Sequence, residues 1–82
     1  MNNLEYQYTL DTTGLLCPEP VMMLHEKVAA MTRGEILRVL ATDPSTQRDI
    51  PKFCQMLGHQ LIESSEAEGV FIFRIAKATA SD

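Results

Sequence analysis

The sequence predicts an α/β two-layer sandwich of order β-α-β-α-β-β, with a mixed four-stranded sheet and two helices on one face. Three observations carry that prediction. Two apolar stripes with helical spacing each follow a short β-type segment. The last third of the chain holds two β-type runs separated by Glu68-Gly69, which supplies the positive φ of a hairpin turn. Each of the first two strands is followed by a helix, so right-handed crossovers make a partly parallel sheet, to which the hairpin adds antiparallel pairing.

The elements follow in order. Residues 6–10, Tyr-Gln-Tyr-Thr-Leu, alternate bulky and polar side chains and read as a strand, which Asp11-Thr12-Thr13-Gly14 breaks. A helix starts at Pro18, because proline is favoured where its missing N–H has no intrahelical partner. Val21, Leu24, Val28 and Met31 form its apolar stripe, and Gly34 stands where a left-handed cap ends it. Residues 36–41 have the composition and length of a buried strand, with Leu37, Val39 and Ala41 expected to meet the helices. Asp43-Pro44-Ser45 is turn and N-cap chemistry for a second helix, whose stripe is Ile50, Phe53, Cys54 and Leu57. Pro51 either kinks that helix or marks its start after an irregular turn, and Gly58 stops it. Residues 60–66 and 70–76 are the hairpin strands.

At 82 residues, the chain has room for one domain spanning 1–82, with an ordered core from about 5 to 77; the first three residues and the last six, from Lys77 on, read as frayed because they show no apolar period. A domain of this size buries about 60–65% of its unfolded surface, so a surface site is expected rather than a deep cavity. Seven Lys+Arg against eleven Asp+Glu give a net charge of −4, and the basic residues are dispersed. Binding nucleic acid through phosphate neutralisation is disfavoured. No apolar run has the length to span a bilayer, and the N-terminus lacks the basic and apolar segments of a signal peptide. The expectation is a cytoplasmic monomer with no membrane association and both cysteines reduced.

If the first two strands are parallel, both helices begin at the same edge of the sheet, where ligand chemistry gathers in α/β folds. Cys17-Pro18-Glu19-Pro20 and Asp43-Pro44-Ser45-Thr46 then become spatial neighbours, with Arg48 and Asp49 near the same edge. Cys17 takes the N-cap position in this reading, facing free backbone N–H groups and the positive end of the helix dipole, a setting that favours thiolate. Glu19, two residues away, opposes this. Pro20 stands where a dithiol motif would carry its second cysteine, so local dithiol exchange is disfavoured, whereas a lone nucleophilic thiol can hold a persulfide. The plainer alternative is a cysteine that only packs.

Other candidates have plainer readings. Cys54 lies in an apolar stripe and reads as core. His25 stands about 12 Å along the helix from Cys17, too far for a Cys–His pair, and His59 reads as a solvated or capping residue. These residues lack metal-ligand spacing, so no metal is expected. Met22 and Met23 lie off the apolar stripe and belong either to a partner-docking surface or to peripheral packing.

Leu15-Leu16-Cys17-Pro18-Glu19-Pro20-Val21-Met22 resembles the signature of the TusA (SirA-like) sulfur-carrier family. Residues 43–51, Asp-Pro-Ser-Thr-Gln-Arg-Asp-Ile-Pro, are similar to its second conserved block, and the likeness runs from about Leu10 to Ile75. Within the family it lies nearer the TusA branch than the more divergent relatives. The resemblance implies a two-layer α/β sandwich like the C-terminal domain of a bacterial translation initiation factor. It implies that Cys17 accepts a persulfide sulfur from a cysteine desulfurase and passes it to a downstream sulfur-relay protein, towards 2-thiouridine at the tRNA wobble position. Pro18 and Pro20 carry over as structural parts of the motif, whereas Glu19 gains no separate role. The implied protein is a stoichiometric carrier rather than an enzyme, has no cofactor beyond a transient cysteine persulfide, and meets proteins rather than tRNA. Alternatives are an interaction or regulatory module without sulfur chemistry, or a carrier feeding sulfur oxidation or cofactor assembly.

Overall fold

The computed structural model describes residues 6–78. The element order is β1 (Tyr8–Thr12), α1 (Glu19–Ala29), β2 (Ile36–Ala41), α2 (Thr46–Leu57), β3 (Gln60–Ala67) and β4 (Val70–Ala76). The four strands make one sheet in the order β1-β2-β4-β3. β1 runs parallel to β2, from Tyr8 opposite Leu37 to Thr12 opposite Ala41. β4 is antiparallel to both its neighbours. The predicted mixed sheet and helix order are therefore present.

One apolar layer joins the helices to the sheet. Leu24 and Val28 of α1 and Ile50, Phe53 and Cys54 of α2 pack with Leu37, Val39 and Ala41 of β2 and Phe71, Phe73 and Ile75 of β4. Strand residues two apart share a face, so both helices lie on the same side of the sheet. Burying a side chain of this size contributes about 1.5–3 kcal/mol relative to exposing it. On the opposite face Ile36, Arg38 and Leu40 of β2 are half-buried. There Arg38 and Arg74 stand directly opposite each other. Arg74 is ion-paired with Glu63, and the Arg38 guanidinium lies 4.4 Å from the centroid of the Tyr6 ring.

Several boundaries differ from the sequence reading, each for an identifiable reason. β1 lies two residues later than 6–10, because the Thr12 hydroxyl donates to the Leu40 carbonyl at 2.7 Å and is fully buried. α1 starts with Glu19: Pro18 is the N-cap and Pro20 the second helical residue, so Cys17 lies one position outside the cap. α1 also ends at Ala29, not at Gly34. Met31 still reaches the core, with its N–H bonded to Val28 O. Gly34 (φ +96°) instead donates its N–H to Lys77 O.

Lys77, read from the sequence as the start of a frayed tail, is 3% exposed. Its ammonium donates to Val28 O at 2.8 Å and Met31 O at 2.9 Å, two carbonyls at and just beyond the end of α1. The expectations for residues 1–3 and 79–82 lie outside the described residues. Pro51 sits inside α2, so it is not the helix start. α2 begins earlier, through turn bonds from Thr46 N–H to Asp43 O and Gln47 N–H to Pro44 O. Gly58 ends α2 as predicted, with φ +80°, and the His59 N–H closes the last turn on Cys54 O. His59 is buried rather than solvated, and its Nδ1 accepts the Ala78 N–H.

Candidate functional site

β1 and β2 point the same way, and each feeds a helix at the same edge of the sheet. The two loops at that edge are tied together by Asp43. Its Oδ1 accepts the Ser45 N–H at 3.0 Å, and its Oδ2 accepts the Cys17 N–H at 2.7 Å. Its backbone carbonyl takes the Thr46 hydroxyl at 2.6 Å, with Thr46 buried. One carboxylate therefore fixes both the start of α2 and the backbone at Cys17. These N–H donors, Ser45 first and then Cys17, hold the Asp43 carboxyl below its ordinary value. A parallel tie runs from Gly14 N–H to the Thr42 hydroxyl at 2.8 Å.

Cys17 is exposed, and its peptide bond to Pro18 is cis. Its Sγ lies 3.9 Å from Asp49 Oδ2. The other Asp49 oxygen accepts Arg48 Nε–H at 2.9 Å, so that carboxylate stands between a guanidinium and a sulfur atom. The Asp49 carboxylate raises the Arg48 guanidinium above its ordinary value. Cys17 is thus not the helix N-cap. Its backbone is bonded to Asp43 in the turn before α2, and its sulfur faces the first turn of α2.

Beside the sulfur an open groove of about 290 Å³ runs between the two helices. Cys17, Pro18 and Val21 form its head, and Asp49, Lys52 and Phe53 line the α2 side. His25 and Met56 lie further along it. The His25 ring meets Phe53 edge-on, with centroids 4.7 Å apart. Met56 is 71% exposed and Leu16, next to Cys17, is 69% exposed. The site therefore combines one accessible sulfur nucleophile with an apolar lining and charges at its rim. Such an arrangement suits a protein surface more than an enclosed small molecule.

The expected neighbours Asp43, Arg48 and Asp49 do gather around Cys17. Met22 and Met23 do not line its groove; they line a separate depression with Leu15, Glu19 and Glu26 on another flank of α1. Pro20 is fully buried, whereas Pro18 and Glu19 are exposed. Lys52 and Met56 were missed, although both stand off the buried stripe of α2 and a helical projection from Asp49 would have found them. Cys54 is buried in the core, where desolvation pushes its thiol up to about 11. Among the described residues no group of three His, Cys, Asp or Glu side chains could hold a metal ion. No described helix is long and apolar enough to cross a membrane.

A family model described as "Sulfurtransferase TusA" matches residues 8–77. A protein named "Sulfur carrier protein TusA" from Pseudomonas syringae pv. syringae is 54% identical over 77 residues, covering 94% of this chain and 92% of the relative. One of the same name from Pseudomonas paraeruginosa is 60% identical over 68 residues, covering 83% of this chain and 86% of the relative. Among solved structures, a SirA-like protein from Desulfitobacterium hafniense superimposes with a TM-score of 0.78 at 25% identity, covering 89% of this chain and all of that one.

Proposed function

The chain belongs to the sulfurtransferase TusA family, and from that premise we propose that it is a sulfur carrier whose cargo is a persulfide on Cys17. The sulfur comes from a cysteine desulfurase and goes to a downstream sulfur-transfer protein, for 2-thiouridine formation at the tRNA wobble position. The carrier ends each cycle unchanged and acts stoichiometrically. The desulfurase and the downstream relay protein, rather than tRNA, are its partners.

The chemistry balances without an external oxidant. The Cys17 thiolate attacks the terminal sulfur of the donor's cysteine persulfide. A new S–S bond forms at Cys17 as the donor's S–S bond breaks, and the donor cysteine leaves as a thiolate. Delivery is the same exchange with an acceptor thiolate attacking the outer sulfur and Cys17 leaving.

The observation that carries this reading is an exposed Cys17 with its backbone fixed by Asp43, while the other cysteine is buried in the core. A carrier thiol must be reachable by two partners in turn, and a second nearby thiol would discharge the persulfide as a disulfide. Pro18 and Pro20 shape the chain on either side: Pro18 as N-cap and Pro20 packed beneath the first turn.

The test is intact mass after incubation with a cysteine desulfurase and free cysteine, followed by a thiol reductant. Wild type and Cys54→Ser should each gain one sulfur atom that the reductant removes, and Cys17→Ser should gain none. Absence of any gain in folded wild type with several desulfurases would overturn the carrier reading in favour of an interaction module.

A further inference from the structure

The sheet has two edges, and they are not alike. β3, at one edge, is interrupted by a register shift between Leu61 and Glu63 and carries glutamates at positions 63 and 66. Bulges and edge charges are the usual means of keeping a foreign strand away. β1, at the other edge, pairs with β2 in unbroken register over all five residues, contains no proline or lysine and carries a single charge, Asp11. Among the described residues, β1 has a strand on one side only.

A groove accompanies that edge. Its first part, about 330 Å³, is lined by Leu15, Glu19, Met22, Met23 and Glu26. Its second, about 280 Å³, is lined by Leu10 of β1, Lys27 and Ala30, and shares Met23 and Glu26 with the first. The floor is apolar, and Met22 is 60% exposed. Glu19 and Glu26 stand two helical turns apart and have no ion-pair partner among the described residues. The ammonium of Lys27, the cation in that lining, lies over the Tyr8 ring, 4.0 Å from its centroid.

We propose that the β1 edge and the flank of α1 form a second docking site, which takes an extended segment of a partner protein carrying alternating apolar and basic residues. The segment adds to the sheet as a strand beside β1, gaining main-chain hydrogen bonds. Side chains of a strand alternate between the faces of a sheet, so its lysines or arginines are the ones turned towards α1, with their stems over Leu10 and Met23 and their charges at Glu19 and Glu26. Its apolar side chains lie on the other face. Methionine lining suits this, because its unbranched side chain adapts to more than one sequence. The occupant is extended rather than helical because a helix has no free main-chain groups to offer the strand. The site is separate from the groove lined by Cys17 and Phe53, so a partner can be held here while the sulfur remains accessible. Binding at this edge does not depend on sulfur chemistry at Cys17.

The probe is a capped peptide of about eight residues alternating lysine and valine, long enough to span a strand. It is titrated into the full chain labelled for amide NMR. Saturable shifts confined to β1, Leu15 and the Glu19–Glu26 flank of α1 are expected. Glu26→Lys, an exposed change, should weaken binding at least about tenfold with the fold intact by its amide spectrum. A glutamate–valine peptide, or the lysine–valine peptide with alternate amides N-methylated, should not bind. Cys17→Ser should bind like wild type, which separates this proposal from the carrier reading. No saturable shift, shifts centred on Lys52–Leu57, or affinity unaffected by Glu26→Lys or by N-methylation would each overturn it.

Discussion

The backbone N–H of Cys17 is held by the side chain of Asp43 at 2.7 Å, across 26 residues of sequence. The position of the sulfur thus depends on a residue in the other crossover loop.

Asp43→Ala should therefore slow sulfur loading of Cys17 by at least about tenfold while leaving the sheet intact, since small misplacement of a reacting group is costly. Initial rates of mass gain with a cysteine desulfurase check this, with amide spectra reporting the fold. The Asp43 carboxyl is held below its ordinary value by the Ser45 and Cys17 N–H groups. A depressed carboxylate contributes stability that is present above the ordinary value of 3.8 and lost as pH falls through the lower folded value. In Asp43→Asn, acid unfolding curves should show a weaker loss of stability below pH 3.8 than in wild type.

The two cysteines should separate cleanly under alkylation. Burial pushes the Cys54 thiol up to about 11, so only about one molecule in a thousand carries its thiolate at pH 8. Limited iodoacetamide at that pH should label Cys17 alone, and Cys54 should react only after denaturant is added. Peptide mass mapping reads the outcome, and equal labelling of both in the folded protein would contradict the core position of Cys54.

Lys77→Met keeps much of the side-chain volume but removes the donors to Val28 O and Met31 O. Two buried carbonyls then lose a charged partner, and the expected cost is about 2–3 kcal/mol. Chemical denaturation should detect it as a lower midpoint with an unchanged slope. A truncation ending at Ala76 should be destabilised at least as much.

Glu68 has φ +53°, followed by Gly69 at +85°, so both central residues of the β3–β4 turn are left-handed. That is the type I′ pattern, which asparagine fits better than glutamate. Glu68→Asn should raise stability by about 0.5–1 kcal/mol, whereas Gly69→Ala should lower it. Thermal unfolding of the two variants against wild type decides the sign.

Most of the architecture was legible because it rests on periodicity. The alternation along Ile36–Ala41 and the stripe Ile50, Phe53, Cys54 and Leu57 told which faces would be buried; Leu37, Val39, Ala41, Ile50, Phe53 and Cys54 are buried, and Leu57 is half-buried at the end of its stripe. Joining Cys17 to Asp43, Arg48 and Asp49 followed from topology alone, since parallel strands bring their following loops to one edge. What failed was set by contacts distant in sequence. Thr12 reads as a turn residue until Leu40 O is beside it. Lys77 reads as a solvated tail until the end of α1 supplies its acceptors. Cys17 reads as an N-cap until α1 is seen to begin at Glu19 with Pro18 as its cap, and the His25 and Met56 parts of the groove require knowing how closely α1 and α2 lie.

The position of β4 within the sheet governs the order in which this protein can be made. β4 is the last strand in sequence yet lies between β2 and β3. As the chain leaves the ribosome, the parallel β1–β2 pair and both helices emerge before the strand that must join the two halves of the sheet. Phe71, Phe73 and Ile75 complete the apolar layer only then. Until that point the helices have half a sheet to cover, and unpaired strand edges stay open to other chains. Completion of the sheet thus waits for β4, and a nascent chain stalled before Val70 should remain a client of chaperones.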